Sequence, residues 1–350
     1  MIYKLLSVSK SPQIEGVNIG DYIQALASYQ YYPQLNGFLD RDVDLKTYDG
    51  EPCNMIMNGW YMHEPFNWPP SDKINPLFVA FHVNSVAKDI LLSSESLEYL
   101  KKYQPIGCRD LGTMKLLESH DIKAYFSGCM TLTLGKKYHS EIKEDKTYIV
   151  DPIFNGKLNT GNIFRALYEM LIHPFDIFEL YRTEQLCLHH GRNFIKKLFK
   201  TSLYYREYTK VFGRRLVMES TYVCQEHRFY QQDFHTEEER LKEAERLVKM
   251  YARAKLVITS RIHCALPCLG IETPVIYLEK ANDSETSSCR LDGLKDLFNI
   301  VKIDNGTLVP QYKTSIPISV ENPPINKESW KMCANILEQK CSEFIRKQSF

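Results

Sequence analysis

No run of 18 consecutive apolar residues occurs in the chain, so no segment reads as a membrane-spanning helix. The N-terminus, MIYKLLSVSKSPQ, opens like a strand and lacks the apolar centre of a signal peptide, so a cytoplasmic protein is expected. Neither sign of charge is in excess. The 44 Lys and Arg against 43 Asp and Glu leave a net +1, without the basic surplus of a nucleic-acid protein. There is no Cys-x-x-Cys. The 10 cysteines are scattered, and Cys264 and Cys268, four apart, lack a second pair to complete a zinc site; reduced, mostly buried thiols and no metal are expected. His189-His190 has no metal spacing with a nearby ligand either. Repeats and low-complexity segments are absent, and Gly and Pro are ordinary at 16 each. What is present is globular: 350 residues, 44% apolar and 25% charged, a length that predicts two domains.

The most informative stretch is 256–278, LVITSRIHCALPCLGIETPVIYL. Residues 256–258 are a short β-branched run closed by Thr259 and Ser260, either of which could cap a helix with apolar positions Ile262, Ala265, Leu266 and Leu269. Gly270 stops that helix, and Pro274 precedes a second strand at 275–278. Strand, helix and strand form one unit of a doubly wound α/β sheet. Arg261 and His263 fall on the helix's first turn, at the carboxyl end of the strand. Such sheets bind ligands there, and a helix N-terminus adds N–H groups and partial positive charge. Arginine and histidine on that turn suit an anion carrying carboxylate and phosphate. An ordinary crossover with a salt-bridged Arg and a satisfied core His would give the same local pattern.

Taken in order, the chain opens with a strand at 3–8, then Asn18-Ile19-Gly20-Asp21 and a helix. Gly20 permits close backbone approach, and Asp21 is either a helix cap or a group facing a ligand. A buried strand at 55–57 ends in the turn Asn58-Gly59, followed by an aromatic loop with Trp60, Tyr61, His63 and Trp68. Aromatic loops stack on sugar rings, and more often cover cores. A strand at 77–81 carries His82 at its carboxyl tip, and one at 106–108 leads into Arg109-Asp110. The polar stretch KKYHSEIKED sets a boundary between domains 1–138 and 139–325. Residues 160–212 read as mostly helical, with clustered bases and interleaved Phe194, Ile195, Leu198 and Phe199 that could lie on an anionic membrane surface or a diphosphate-linked acceptor. A strand is expected at 216–224 and a helix at 236–254, with Thr236 and Glu239 as its capping box. An amphipathic helix within 326–350 is expected to cross back to the first domain.

The run TSRIHCALPCLGIETPVI resembles the C-terminal signature of the polysaccharide pyruvyl transferase family: an Arg–aliphatic–His, a small-residue helix and a Gly-x-x-Pro-Val turn. Asn18-Ile19-Gly20-Asp21, Arg109-Asp110 and Arg290-Leu291-Asp292-Gly293-Leu294 resemble other family segments, whereas Asn58-Gly59 stands where a Gly-Gly is usual. The resemblance implies an α/β fold of two Rossmann-like domains facing across a cleft, as in GT-B glycosyltransferases. It implies an enzyme that moves pyruvate from phosphoenolpyruvate, a co-substrate rather than a cofactor, onto two hydroxyls of a sugar as a cyclic ketal. The acceptor would belong to a polysaccharide or its lipid-linked precursor, at the inner face of a membrane. On this reading Arg261, Arg109, Ser260 and Arg290 hold phosphoenolpyruvate. His263 is the acid and Asp21 the base, with His82 behind it, while Asn18, Asn58 and Trp60 meet the acceptor. Two rivals stand beside it: a nucleotide-sugar glycosyltransferase gripping ribose through Glu279, and a non-catalytic family member.

Overall fold

Short β-branched and apolar runs between polar caps make short strands, and here nearly all of them pair in parallel. The computed structural model describes residues 1–350 except 9, 11–16, 62, 187, 189–192, 226–229, 231–232, 282–290 and 349–350. In the first part of the chain the strands are β1 (Ile2–Tyr3), β2 (Leu5–Ser7), β3 (Phe38–Asp40), β4 (Cys53–Met57), β5 (Ile74–Phe78), β6 (Ile106–Cys108) and β7 (Ala124–Phe126). They pair as β1–β4–β5, β2–β3 and β6–β7, all parallel. Single bridges, Trp60 to His82 and Phe81 to Cys108, link the pieces beyond the strand ends.

The second part holds β8 (Thr147–Val150), β9 (Thr221–Val223), β10 (Leu256–Thr259), β11 (Val275–Lys280), β12 (Asn299–Asp304) and β13 (Thr307–Pro310). They form one sheet in the order β13-β12-β11-β10-β8-β9, parallel except for the last hairpin. Asn305 and Gly306, both at positive φ, make that hairpin's turn. The central strand β10 is buried at all four residues, as a parallel strand covered on both faces must be.

Three expectations need correction. The strand at 77–81 ends at Phe78, because Ala80 sits at φ 51 and donates its N–H to Ser127 Oγ instead of a strand neighbour. Residues 216–219 are not strand: the helix Phe194–Glu219 continues through them after a kink at Gly213, burying Leu216 and Val217, and only β9 extends beyond. The helix Ile262–Gly270 takes Arg261, not Thr259 or Ser260, as its N-cap residue. Thr259 Oγ1 accepts from the Arg261 N–H, and Ser260 Oγ donates to the Asp151 carbonyl.

Helices from both ends of the chain share one core. Ile19–Tyr29 contributes Ile19, Tyr22, Ile23 and Leu26; Glu237–Ala252, Ile262–Gly270 and Trp330–Gln348 contribute Leu247, Leu266 and Leu337 to the same cluster. The last helix reaches the first part of the chain, where Cys341 Sγ meets Met130 Sδ at 3.8 Å. At Gly270 a Cβ would come within 2.4 Å of the Leu132 carbonyl oxygen, so bare backbone lets the Ile262–Gly270 helix seat against residues 130–135. A separate core lies under β8 to β12, against the helix Phe194–Glu219.

Candidate functional site

The carboxyl ends of β6, β8, β9 and β10 and the start of the Ile19–Tyr29 helix line one cavity of about 330 Å³, near the lower end of the ~300–1,000 Å³ usual for small-molecule sites. Its wall from the second part of the chain is organised by Asp151. This residue directly follows β8 and sits at φ 43, a left-handed conformation that Asp tolerates better than most side chains. Asp151 Oδ2 accepts from Arg261 Nε at 2.7 Å and from the Gln225 backbone N–H at 3.0 Å, tying the ends of β8, β9 and β10 together. Arg261 is thereby planted at the helix start and lines the cavity beside Ser260 and His263.

Asn18 begins the opposite wall. Its Oδ1 accepts from the Gly20 N–H at 3.1 Å and its Nδ2 donates to Asp21 Oδ2 at 3.2 Å. Asn18, not Asp21, is therefore the cap, and the Asp21 carboxylate is left to line the cavity. Gly20 allows the two walls to meet: a Cβ there would lie 3.1 Å from His263 Cβ, 3.3 Å from its Nδ1 and 3.1 Å from Asn18 Oδ1. Arg109, buried at the end of β6, and Trp60 complete this side.

Burial pushes the Asp21 carboxyl above the usual carboxylate range; Arg41, His63 and Arg109 pull it back, and Asp42 pushes it further up. Arg41 and Asp42 form a buried bidentate pair, Nε to Oδ1 at 3.0 Å and Nη2 to Oδ2 at 2.8 Å. The His63 imidazole is held below its ordinary pKa by burial and then by Arg41. A carboxyl whose pKa is raised by burial beside fixed cations is suited to proton transfer.

Asn18, Asp21, Trp60, Arg109, Ser260, Arg261 and His263 thus line one cavity. His82 does not. It is fully buried, its Nδ1 2.6 Å from Asp110 Oδ2, and it is no direct acid or base to a molecule in the cavity. Asn58 is buried too, donating to the Gln24 carbonyl at 2.9 Å, and lines a separate space of about 20 Å³ with Arg41 on the far side of Asp21. Of the aromatic loop, Tyr61 and Trp68 pack into a core with Phe78 and Phe81, and among its described residues Trp60 alone lines the cavity. Glu279 is ion-paired with Lys295 and is not part of the lining. Arg290 lies outside the described residues. Sequence reasoning missed Asp151 and Gln225 as site residues; the one available signal was an Asp-Pro step directly after a strand. Arg41-Asp42 carried no signal beyond an arginine among aspartates. Among the described residues no group of three or more His, Cys, Asp and Glu side chains is arranged to hold a metal, and the eight described cysteines are buried. No helix among them is long and apolar enough to cross a membrane.

A mixed α/β protein with parallel sheets and a polar pocket of arginine, aspartate and histidine at the strand ends is the class these observations define. The chain belongs to the polysaccharide pyruvyl transferase family, whose sequence profile matches residues 18–280, from the Asn18 cap through the end of β11. No curated protein matches it significantly. Among solved structures, a functionally uncharacterized protein from Klebsiella pneumoniae subsp. pneumoniae is similar at 11% identity and a TM-score of 0.42, over 87% of this chain and 93% of that one, a likeness too remote to extend the account of the fold.

Proposed function

We propose that the cavity binds phosphoenolpyruvate and transfers its pyruvyl group to two hydroxyls of a polysaccharide sugar, forming a cyclic ketal. The observation that carries this reading is the convergence of Arg109, Arg261, His263 and Asp21 on one small cavity. Phosphoenolpyruvate is nearly a trianion, and two fixed arginines at a helix start match its phosphate and carboxylate. His263 delivers a proton to the methylene carbon, which becomes the methyl group and leaves an oxocarbenium-like centre at the adjoining carbon. A sugar hydroxyl adds there and loses its proton to Asp21. Phosphate then departs with its bonding pair, and the second hydroxyl closes the ring. The Asp151 Oδ1 atom, buried and without a hydrogen-bond partner among the described residues, is a second acceptor for a hydroxyl proton. The side chains carry every step, with phosphoenolpyruvate as co-substrate. Trp60 and Asn18 lie where the acceptor ring would approach.

The two parallel-sheet systems meeting at this cavity support a GT-B-like reading, with domains 1–138 and 139–325 and a closing helix within 326–350. The nucleotide-sugar alternative loses its ribose-gripping candidate, since Glu279 is held by Lys295 away from the cavity.

Thermal melting of the purified protein with phosphoenolpyruvate, uridine diphosphate sugars and inorganic phosphate in parallel tests the reading. Phosphoenolpyruvate at a hundred times its Kd should stabilise by about 2.7 kcal/mol, and Arg261→Ala should abolish the shift. A shift with nucleotide sugar alone would sink it.

A further inference from the structure

Between β8 and β9 the chain inserts three helices: Thr160–Ile172, Pro174–Arg182 and Phe194–Glu219. The first is amphipathic with its apolar stripe turned outward. Ile163, Phe164, Leu167, Tyr168, Leu171 and Ile172 recur at helical spacing along one side, and all are exposed. Leu171 is 79% exposed, Phe175 on the second helix 86%, and Phe164 67%. Phe178, Phe194 and Ile195 extend the patch across the other two helices. The helices are fixed from the opposite side: Glu169 accepts from Arg206 at 3.0 Å, and Asp176 is gripped by Arg214 at 2.7 Å and by the Tyr205 hydroxyl at 2.7 Å. Ordered helices presenting this many large apolar side chains require a covering surface.

We infer that this face docks the protein on an anionic membrane. Charge complementarity selects the occupant. Arg165, Arg182, Lys196 and Lys197 border the apolar residues, with Lys200 one turn further on, whereas the acids Glu169 and Asp176 are buried and paired inward. Exposed Glu179 and Glu184 are too few to reverse the sign. A second copy of this face would set bases against bases in a two-fold interface. An apolar stripe edged by lysine and arginine fits acyl chains beneath anionic headgroups. Leu198 and Phe199 are partly buried, so the contact is made chiefly by residues 163–178. The insertion also hangs on the cavity wall: it begins a few residues after Asp151 and Ile153, and the Tyr208 hydroxyl of its long helix donates to the Ile153 carbonyl at 2.7 Å. Docking there would bring the cavity to the headgroup region, so a sugar carried on a membrane lipid becomes the acceptor class. That last step rests on the pyruvyl-transfer reading; the docking itself does not.

Flotation of the full chain with vesicles tests the docking apart from catalysis. Vesicles of phosphatidylcholine with phosphatidylglycerol should carry the protein, and phosphatidylcholine alone should carry much less. The exposed pair Leu171→Glu and Phe175→Glu should lower binding about tenfold or more at unchanged melting temperature and unchanged phosphoenolpyruvate binding. Lys196→Glu with Lys197→Glu should cost about fivefold per base on anionic vesicles only. Failure to float with either vesicle would overturn the inference while leaving the phosphoenolpyruvate result untouched. So would a dimer in solution that Phe175→Glu converts to monomer, because the face would then belong to a second copy.

Discussion

Asp21 and His263 stand 242 positions apart in sequence and line the same cavity, where their environments bear on the roles proposed for them. Asn18 takes over the capping that Asp21 could have done, and burial then raises the Asp21 carboxyl. A raised carboxyl is a cost to the folded state once it ionises. Its proton is bound more tightly folded than unfolded, so this group's contribution to stability is greatest below the ordinary value of 3.8 and declines as pH rises through the raised folded value. Asp21→Asn removes that cost. It should melt higher than wild type at neutral pH, with the difference vanishing at the acid end, while transfer falls roughly 10²–10⁴-fold and the acid limb of its pH profile flattens. Equal melting at every pH would show that the carboxylate is not strained by burial. At this scale Arg261, His263 and Asp21 could be read in advance, because a strand-to-helix turn fixes where its first residues lie. Asp151 could not, since its significance is a bond to Arg261 110 residues away.

Elements were legible where local rules decide alone. The capping box of Thr236 and Glu239 forms as expected, with Glu239 accepting from the Thr236 N–H at 3.1 Å. Local rules failed where tertiary contacts override them: LVME, which follows Arg215, is expected to open a strand yet continues a helix because Leu216 and Val217 complete its buried face. His82, four residues beyond the end of β5, binds that segment to the Asp110 cap of the Leu111–Glu118 helix. The contact between two helix starts at Gly20 and His263 is a close junction of this kind at the cavity. Gly20→Ala favours the helix by up to ~1 kcal/mol, yet its methyl would press on His263 Cβ at 3.1 Å. A melting temperature close to wild type is expected together with a loss of about a hundredfold in transfer rate, since displacement of a catalytic group by ~1 Å has that effect. Retention of full activity would mean that His263 is not positioned by this contact.

Over the whole molecule, length predicts two domains but says nothing of how the parts cohere. A boundary near residue 138 divides sheets and not cores, because the Ile19–Tyr29 helix is packed against helices from the far side of that boundary. Periodicity identifies which face of a helix is buried and is silent about its partner, so this shared core was not readable from sequence. At its edge the Tyr22 hydroxyl donates to Glu237 Oε2 at 2.5 Å, with Arg240 Nη1 at 3.4 Å, and burial beside that carboxylate drives the phenol's pKa up. Such coupling makes the two parts one unfolding unit. Calorimetry should record a single transition whose calorimetric and van't Hoff enthalpies agree, even though a chain of 350 residues commonly unfolds in steps. Tyr22→Phe removes one charge-assisted bond, about 1.5–3 kcal/mol, and should move that single transition down by a few degrees as a whole. Two resolved transitions, with only one shifted by Tyr22→Phe, would mean that the parts fold independently and that the cavity is assembled by docking rather than by a common core. In the single-transition case, any substitution that loosens the Ile19–Tyr29 helix lowers catalysis and global stability together, because the helix that carries Asp21 also packs into the core shared by the two parts of the chain.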